Sequence, residues 1–270
     1  MSPATRTRIS SSTVPDIVLP PPFRLVTLRE VGDAFSHAMA HAAEEGAGTL
    51  IYVGRFDLAE FAVVLEPDEP LRTARRTLYA GMTALADALS VLAPPETPIT
   101  IDWPDAIKVN LGLVGGGRLG WPADASEDEV PQWMVFGAMI RLVSLSENDA
   151  GLRPLTAALE DEGFDGEASD RMVEAFARHF MVILDTWQER GFDGVAKNYL
   201  PYLAAEPLGT ESLDTESLGT ESEKGVRRAI DENGDLLVRR TGKADVQRRT
   251  LLPALTQPTW FDPQTRGPRS

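Results

Sequence analysis

At 270 residues the chain is long enough for one large domain with a full hydrophobic core plus a smaller one. Its formal net charge of −15 argues against nucleic acid and against anionic membrane surfaces, since both are bound by clustered Lys and Arg. Cysteine is absent, which removes disulfides, thiolate metal sites and a cysteine nucleophile, and no apolar run approaches the ~18 residues of a membrane span. The N-terminal MSPATRTRISSSTVP lacks an apolar stretch after its arginines, so it is not a secretory signal, and a cytoplasmic protein is expected.

Residues 1–22 are rich in Ser, Thr and Pro and read as a disordered tail. A strand is expected from Phe23 to Leu28. A helix follows from Leu28 to Glu45, with Val31, Phe35, Ala38, Met39 and Ala42 on one face and Gly46 and Gly48 ending it. Thr49 to Val53 and Glu60 to Leu65 read as strands around a Gly54-Arg55-Phe56-Asp57 turn. Pro70 opens a helix whose Leu71, Leu78, Met82, Leu85, Leu89 and Leu92 form one stripe, stopped by Pro94-Pro95. Trp133 to Val143 reads as a central strand and Leu155 to Glu162 as a short helix. A long helix is expected to be capped by Ser169, with Met172, Val173, Phe176, Phe180, Ile183 and Trp187 buried and Gly191 beyond its end. The tandem pentamers LGTES, LDTES and LGTES at 208–222 are polar and acidic and cannot bury a core, so they read as a linker. Beyond them, Asn233-Gly234 between two apolar runs predicts a hairpin.

The most informative stretch is ITIDWPDAIKVNLGLVGGGRLGW, residues 99–121. Ile99 and Ile101 alternate with Thr100 and Asp102, Trp103-Pro104-Asp105 breaks the run, and Ile107 and Val109 resume it, a strand–turn–strand pattern. Gly115, Gly116 and Gly117 then stand in a row, where a backbone free of Cβ atoms admits a ligand or makes a bulge.

This stretch resembles the signature of the biotin protein ligase and lipoate–protein ligase family, Lys-Trp-Pro-Asn-Asp, a hairpin, then Lys-Leu-Ala/Gly-Gly. Trp103, Pro104, Gly115 and Gly116 match it. Asp105 stands at the family's Asn, Ala106 at its Asp, Asp102 at its first lysine and Leu113 at its catalytic lysine. Glu189-Arg190-Gly191-Phe192 resembles the end of the family's main domain, and Gly225, Ile230, Asp231, Gly234 and Leu236 resemble its C-terminal SH3-like barrel. Of the family's arginine-rich loop only Gly54-Arg55 remains.

The resemblance implies an α+β fold, a mixed β-sheet with packed helices. The ligase-like domain would span 23–205, a linker 206–224, and a small C-terminal SH3-like β domain 225–270. It also implies ATP-dependent activation of a carboxylic acid, biotin or lipoate, with Mg, and transfer to a lysine of a carrier protein. The alternative is a relative that holds the ligand without ligating it. Acyl transfer through a cysteine thioester is excluded by composition.

Forming an acyl-adenylate needs cations near the carboxylate and the α-phosphate. The nearby cations are Arg55, Lys108 and Arg118, with Lys108 and Arg118 the catalytic candidates. Counting positions along the chain puts 108 and 113 on opposite strand faces, which makes Lys108 a poor substitute for the missing lysine. The ligand-binding candidates are Gly54, Arg55, Trp103, Pro104, Asp105, Gly115, Gly116, Gly117 and Arg118. Each has a plainer role open to it: a solvated arginine, a core tryptophan, an Asx turn, a bulge. His37 and His41 are four apart, but no third ligand is evident, so no metal site is expected.

Overall fold

The computed structural model describes residues 17–28, 33–144, 155–166, 168–204, 226–240 and 245–269. The repeats at 208–222, Val31 and Gly225 lie outside them, as do residues 1–16 of the expected tail. Residues 17–22 are built into the protein: Ile17 and Leu19 pack against the main core, and the Phe23 amide donates to Pro20 O at 3.0 Å.

Seven strands form one mixed sheet: β1 (Arg24–Leu28), β2 (Thr49–Gly54), β3 (Leu58–Leu65), β4 (Ile99–Asp102), β5 (Ala106–Val109), β6 (Gly112–Gly120) and β7 (Met134–Arg141). Their order is β1-β2-β3-β7-β6-β5-β4. β1 and β2 pair in parallel, joined by α1 (Ala34–Glu45), and the remaining neighbours pair antiparallel. α1 starts at Ala34 because Asp33 caps it, accepting from the Phe35 and Ser36 amides at 2.9 and 3.2 Å. Leu28 therefore belongs to β1, not to the helix.

The two sheet faces are covered differently. One carries α3 (Thr77–Leu92), α4 (Ala168–Arg190) and α5 (Phe192–Tyr199) over the main core. The expected aromatic stripe meets the sheet there: Phe136 stacks on Phe176 at 5.6 Å between ring centroids, and Phe176 on Phe180 at 5.3 Å. The other face carries α1 over Ile51, Val53, Ala62, Val64 and Val135. At Gly137 a Cβ would come within 2.6 Å of the Phe35 ring, so a side chain there would lift α1 off the sheet.

Several local expectations are corrected. The helix after Pro70 is interrupted: α2 (Leu71–Ala74) ends before Arg75 and Arg76, and α3 restarts at Thr77. Arg75 donates both terminal nitrogens to the Glu127 carboxylate at 2.8 and 2.7 Å, while Arg76 donates to Glu69 and to Glu232 O. These partners hold the two side chains in different directions, out of one helical stripe. Residues 155–162 are not a helix. Their backbone pairs with strand edges instead, through Leu113 N to Leu155 O at 2.8 Å and Leu159 N to Arg141 O at 3.0 Å. Ser169 lies inside α4, where its hydroxyl meets Tyr52 Oη at 2.9 Å. Gly191 closes α4 as expected, with φ +67° and its amide on Trp187 O.

The C-terminal region contains a three-stranded antiparallel sheet, β8 (Val226–Ile230), β9 (Leu236–Arg240) and β10 (Val246–Arg249), in the order β10-β9-β8. The predicted hairpin is β8–β9. A short helix α6 (Leu251–Thr256) and a two-stranded ribbon, β11 (Phe261–Asp262) with β12 (Gly267–Pro268), follow. This ribbon does not stay with the small sheet. It crosses to the seven-stranded sheet and lies against β6 and β7.

Candidate functional site

The cleft is built from one cross-strand row. Asp102 pairs with Ala106, Ala106 with Gly116, Gly116 with Met139, Met139 with Glu60 and Glu60 with Val53. Residues opposite one another in a ladder share a face, so this row lies on the α1 side of the sheet. Arg118, two residues beyond Gly116, shares it. The row ends in a small apolar cluster of Leu58, Ala106, Met139 and Trp260, with Leu113 and Phe261 packed against it.

Lys108 pairs directly with Leu113. The two therefore point to the same face, contrary to the expectation from counting positions. The turn at Asn110-Leu111 reverses the chain, and partners across a hairpin share a face whatever their separation in sequence. The register also shifts between Ile107 and Lys108, a bulge that lets Leu113 and Gly116 both contribute to the cleft.

Each candidate cation has a carboxylate partner. Lys108 Nζ lies 2.5 Å from Asp102 Oδ2. Arg55 donates Nε and Nη2 to the two oxygens of Asp57 at 3.0 and 2.8 Å, and these bonds hold Asp57 below the ordinary carboxylate range. Its other terminal nitrogen is 3.7 Å from the Glu60 carboxylate. Arg118 pairs with Asp33, with its guanidinium carbon 4.2 Å from the Phe35 ring centroid and 4.7 Å from that of Phe261. Burial pushes Asp33 upward, but the Arg118 hydrogen bond and charge, with the Ser36 amide, hold it low. Glu60 is buried, which raises it, while its carboxylate accepts the Ala34 amide at 2.7 Å at the α1 N-terminus.

The tryptophan–proline turn divides between the two faces. Trp103 turns away from the cleft: it packs against the main core and donates its indole N–H to Tyr79 Oη at 3.0 Å. Pro104 O accepts the buried Tyr199 hydroxyl at 2.9 Å. These two hold the hairpin in place. Asp105 is 1% exposed, and burial pushes its carboxyl up to about 7, opposed by hydrogen bonds from its own amide and the Thr259 hydroxyl. Its Oδ1 has no hydrogen-bond partner among the described residues. Gly115, Gly116 and Gly117 lie inside β6. A Cβ at Gly116 would meet Asp105 O at 2.1 Å and the Trp260 ring at 2.6 Å, so the strand must be bare there. Gly54 ends β2, and Arg55 follows it beside Asp57.

Beside this row lies a cavity of about 670 Å³, lined by Phe35, Arg118, Leu119, Leu255, Phe261 and Arg269 among others. Its size is that of a small-molecule site. His37 and His41 stack on α1 at 4.3 Å, and among the described residues no group of three or more His, Cys, Asp or Glu gathers to hold a metal. Among the same residues no helix is long and apolar enough to cross a membrane.

Sequence reasoning missed Asp33, Glu60 and Trp260. Glu60 carried a readable signal, a lone carboxylate in the apolar run Leu58 to Leu65. Trp260 carried none, since its partners on β5, β6 and β7 lie more than a hundred residues away in the chain.

Comparison with known proteins finds the same fold elsewhere. A biotin protein ligase-like protein of unknown function from Silicibacter sp. TM1040 is 27% identical, with 89% of this chain and 100% of that one covered and a TM-score of 0.70. Biotin protein ligase from Aquifex aeolicus, in its apo structure, shares the fold at 15% identity and a TM-score of 0.57, covering 84% and 100%. The same enzyme in complex with biotin and ATP gives 14% and 0.54, covering 84% and 99%. No curated protein matches. The family model described as the biotin/lipoate A/B protein ligase family matches residues 19–201, which is more than half of the chain. The sheet order, the tryptophan–proline hairpin and that match together place this chain in the biotin/lipoate A/B protein ligase family.

Proposed function

We propose that the protein activates a small carboxylic acid of the biotin or lipoate class with ATP and transfers it to a lysine of a carrier protein, with Lys108 serving where the family pattern has a lysine at position 113. The observation that carries this reading is the direct pairing of Lys108 with Leu113 on the cleft face. Cross-strand partners have Cβ atoms ~5 Å apart, a gap that a lysine stem spans. This reading puts a cation back in the part of the cleft where the family pattern keeps one.

In this reaction a carboxylate oxygen of the acid attacks the α-phosphorus of ATP and pyrophosphate leaves. Negative charge gathers between the two groups as the bond forms, and an ammonium fixed in a partly dry cleft stabilises it. Lys108 can exchange Asp102 for the phosphate, because Asp102 is 43% exposed and rehydrates at little cost. Arg118 lines the cavity and offers a planar fork to the carboxylate of the acid. Magnesium would arrive on the nucleotide phosphates, its usual route where a protein offers few carboxylate ligands.

A second reading, a ligand-holding relative without ligation, is favoured by Leu113 in the apolar cluster and by the neutralisation of Arg55 by Asp57. Calorimetric titration with biotin, lipoate and octanoate, each with and without Mg-ATP and followed by a pyrophosphate assay, separates the two. Binding with pyrophosphate release that Lys108→Met abolishes, at an unchanged melting temperature, is expected. Binding without release selects the second reading, and no binding of any acid overturns both.

A further inference from the structure

The cleft already holds an occupant, and it belongs to the same chain. Trp260 is fully buried against Leu58, Ala106 and Met139, and its indole N–H donates to Gly117 O at 3.0 Å. The ring lies over Gly116, where a Cβ would clash with it. Phe261 packs edge-on against Trp260 at 5.5 Å and covers Arg118. Arg141 donates to Pro268 O and Arg269 O at 2.7 and 3.0 Å, fastening the far end of the segment.

We infer that the segment from Gln257 to Arg269 is a displaceable intramolecular occupant of the ligand cleft, with Trp260 in the space a ligand would fill and Phe261 shielding Arg118. This rests on the reading that the Gly116 face is where the ligand binds.

The attachments of the segment are few. Its tip, Pro263 to Arg266, is exposed, and β11 and β12 are two residues each. Several of its hydrogen bonds are internal, such as Arg269 N to Trp260 O at 2.7 Å and Gln264 N to Asp262 Oδ1 at 2.9 Å, and these travel with it when it lifts. The cavity beside Arg118 is lined by Gln257, Pro258, Thr259, Phe261 and Pro263 of the segment. A small acid can therefore enter next to Arg118 before the indole leaves. The row beneath, in contrast, is held by continuous ladders from β3 to β5. An element that buries only Trp260 and the short Gly267–Pro268 strand and leaves its tip exposed opens at lower free energy than the sheet it rests on.

Two measurements on the full chain test this. In native-state hydrogen exchange the Trp260 indole N–H, bonded to Gly117 O on the sheet, is expected to exchange at least tenfold faster than the Gly117 and Ala138 amides of the ladder. Equal protection of all three would make the segment a fixed part of the core and would overturn the inference. In the second, Trp260→Gly in the full chain is expected to bind free indole saturably, one per chain, while the unsubstituted protein binds none. A folded Trp260→Gly protein that takes up no indole would show that the space is not a pocket and would also overturn it. If that variant fails to fold, exchange in the unsubstituted protein decides alone. Neither readout uses an acid or ATP, so failure of the ligase reading leaves both informative.

Discussion

The helical face of the sheet and the cleft face are closed by different means. On the helical face, α3 and α4 bury whole stripes of Leu, Met and Phe against the strands, and the ring stack Phe136–Phe176–Phe180 runs through the middle. On the cleft face, α1 covers the β1–β3 side, part of β7 and the Gly120 end of β6, and a short ribbon held mainly by Trp260 and the Arg141 hydrogen bonds lies beyond it. Many interlocking contacts give a surface that opens only when the protein unfolds, whereas a few anchors give a surface that can open alone. The polar groups follow the same division. Asp33, Glu60, Arg118 and Arg55 meet at the α1 N-terminus on the cleft face, where charge is held ready by pairing rather than excluded.

The comparison is broken most severely on the helical face. Phe176→Ala is expected to cost about 3–5 kcal/mol, the usual range for emptying a packed aromatic site, read as a lower urea midpoint with an unchanged slope. A cost near zero would mean that the two faces do not differ as described.

On the cleft face, Asp105 imposes a pH dependence. Its folded carboxyl titrates at about 7 against an ordinary 3.8, so the folded state holds the proton more tightly than the unfolded chain. The stability it contributes is fully present below about pH 4 and is lost as pH rises through about 7, a difference on the order of 4 kcal/mol. Asp105→Asn is expected to flatten the stability profile between pH 5 and 8, measured by urea melts at each pH. A profile that keeps its slope would assign the dependence to another group.

Trp260→Ala sharpens the contrast between the faces. A fixed core tryptophan would cost as much as Phe176, but an anchor on a segment that opens alone costs no more than its docking, about 2 kcal/mol. Equal losses for the two variants would erase the distinction. The smallest expected effect on stability is that of Arg118→Ala, about 1 kcal/mol, because Asp33 still caps α1 through the Phe35 and Ser36 amides. The same substitution is expected to weaken binding of the acid about tenfold or more by calorimetry. Unchanged affinity would remove Arg118 from the site.

By itself the sequence determined the helical face and the outline of the family. Leu78, Met82, Leu85 and Leu89, and then Met172, Phe176 and Phe180, repeat at helical spacing, and burial on a regular helix follows from spacing alone. Trp103-Pro104 and the three glycines located the hairpin because their chemistry is local: one fixes the backbone and the others clear it. The C-terminal hairpin at Asn233-Gly234 was legible for the same reason. What the tertiary structure decided were pairings between distant residues. Ladder register put Lys108 and Leu113 on one face where counting along the chain had separated them. Ion pairs to Glu127 and Glu69 split the helix at Arg75-Arg76, and strand edges took the backbone of 155–162 out of a helix. The docking of Trp260 over Gly116 joins positions far apart in sequence, and no local propensity encodes a contact of that kind.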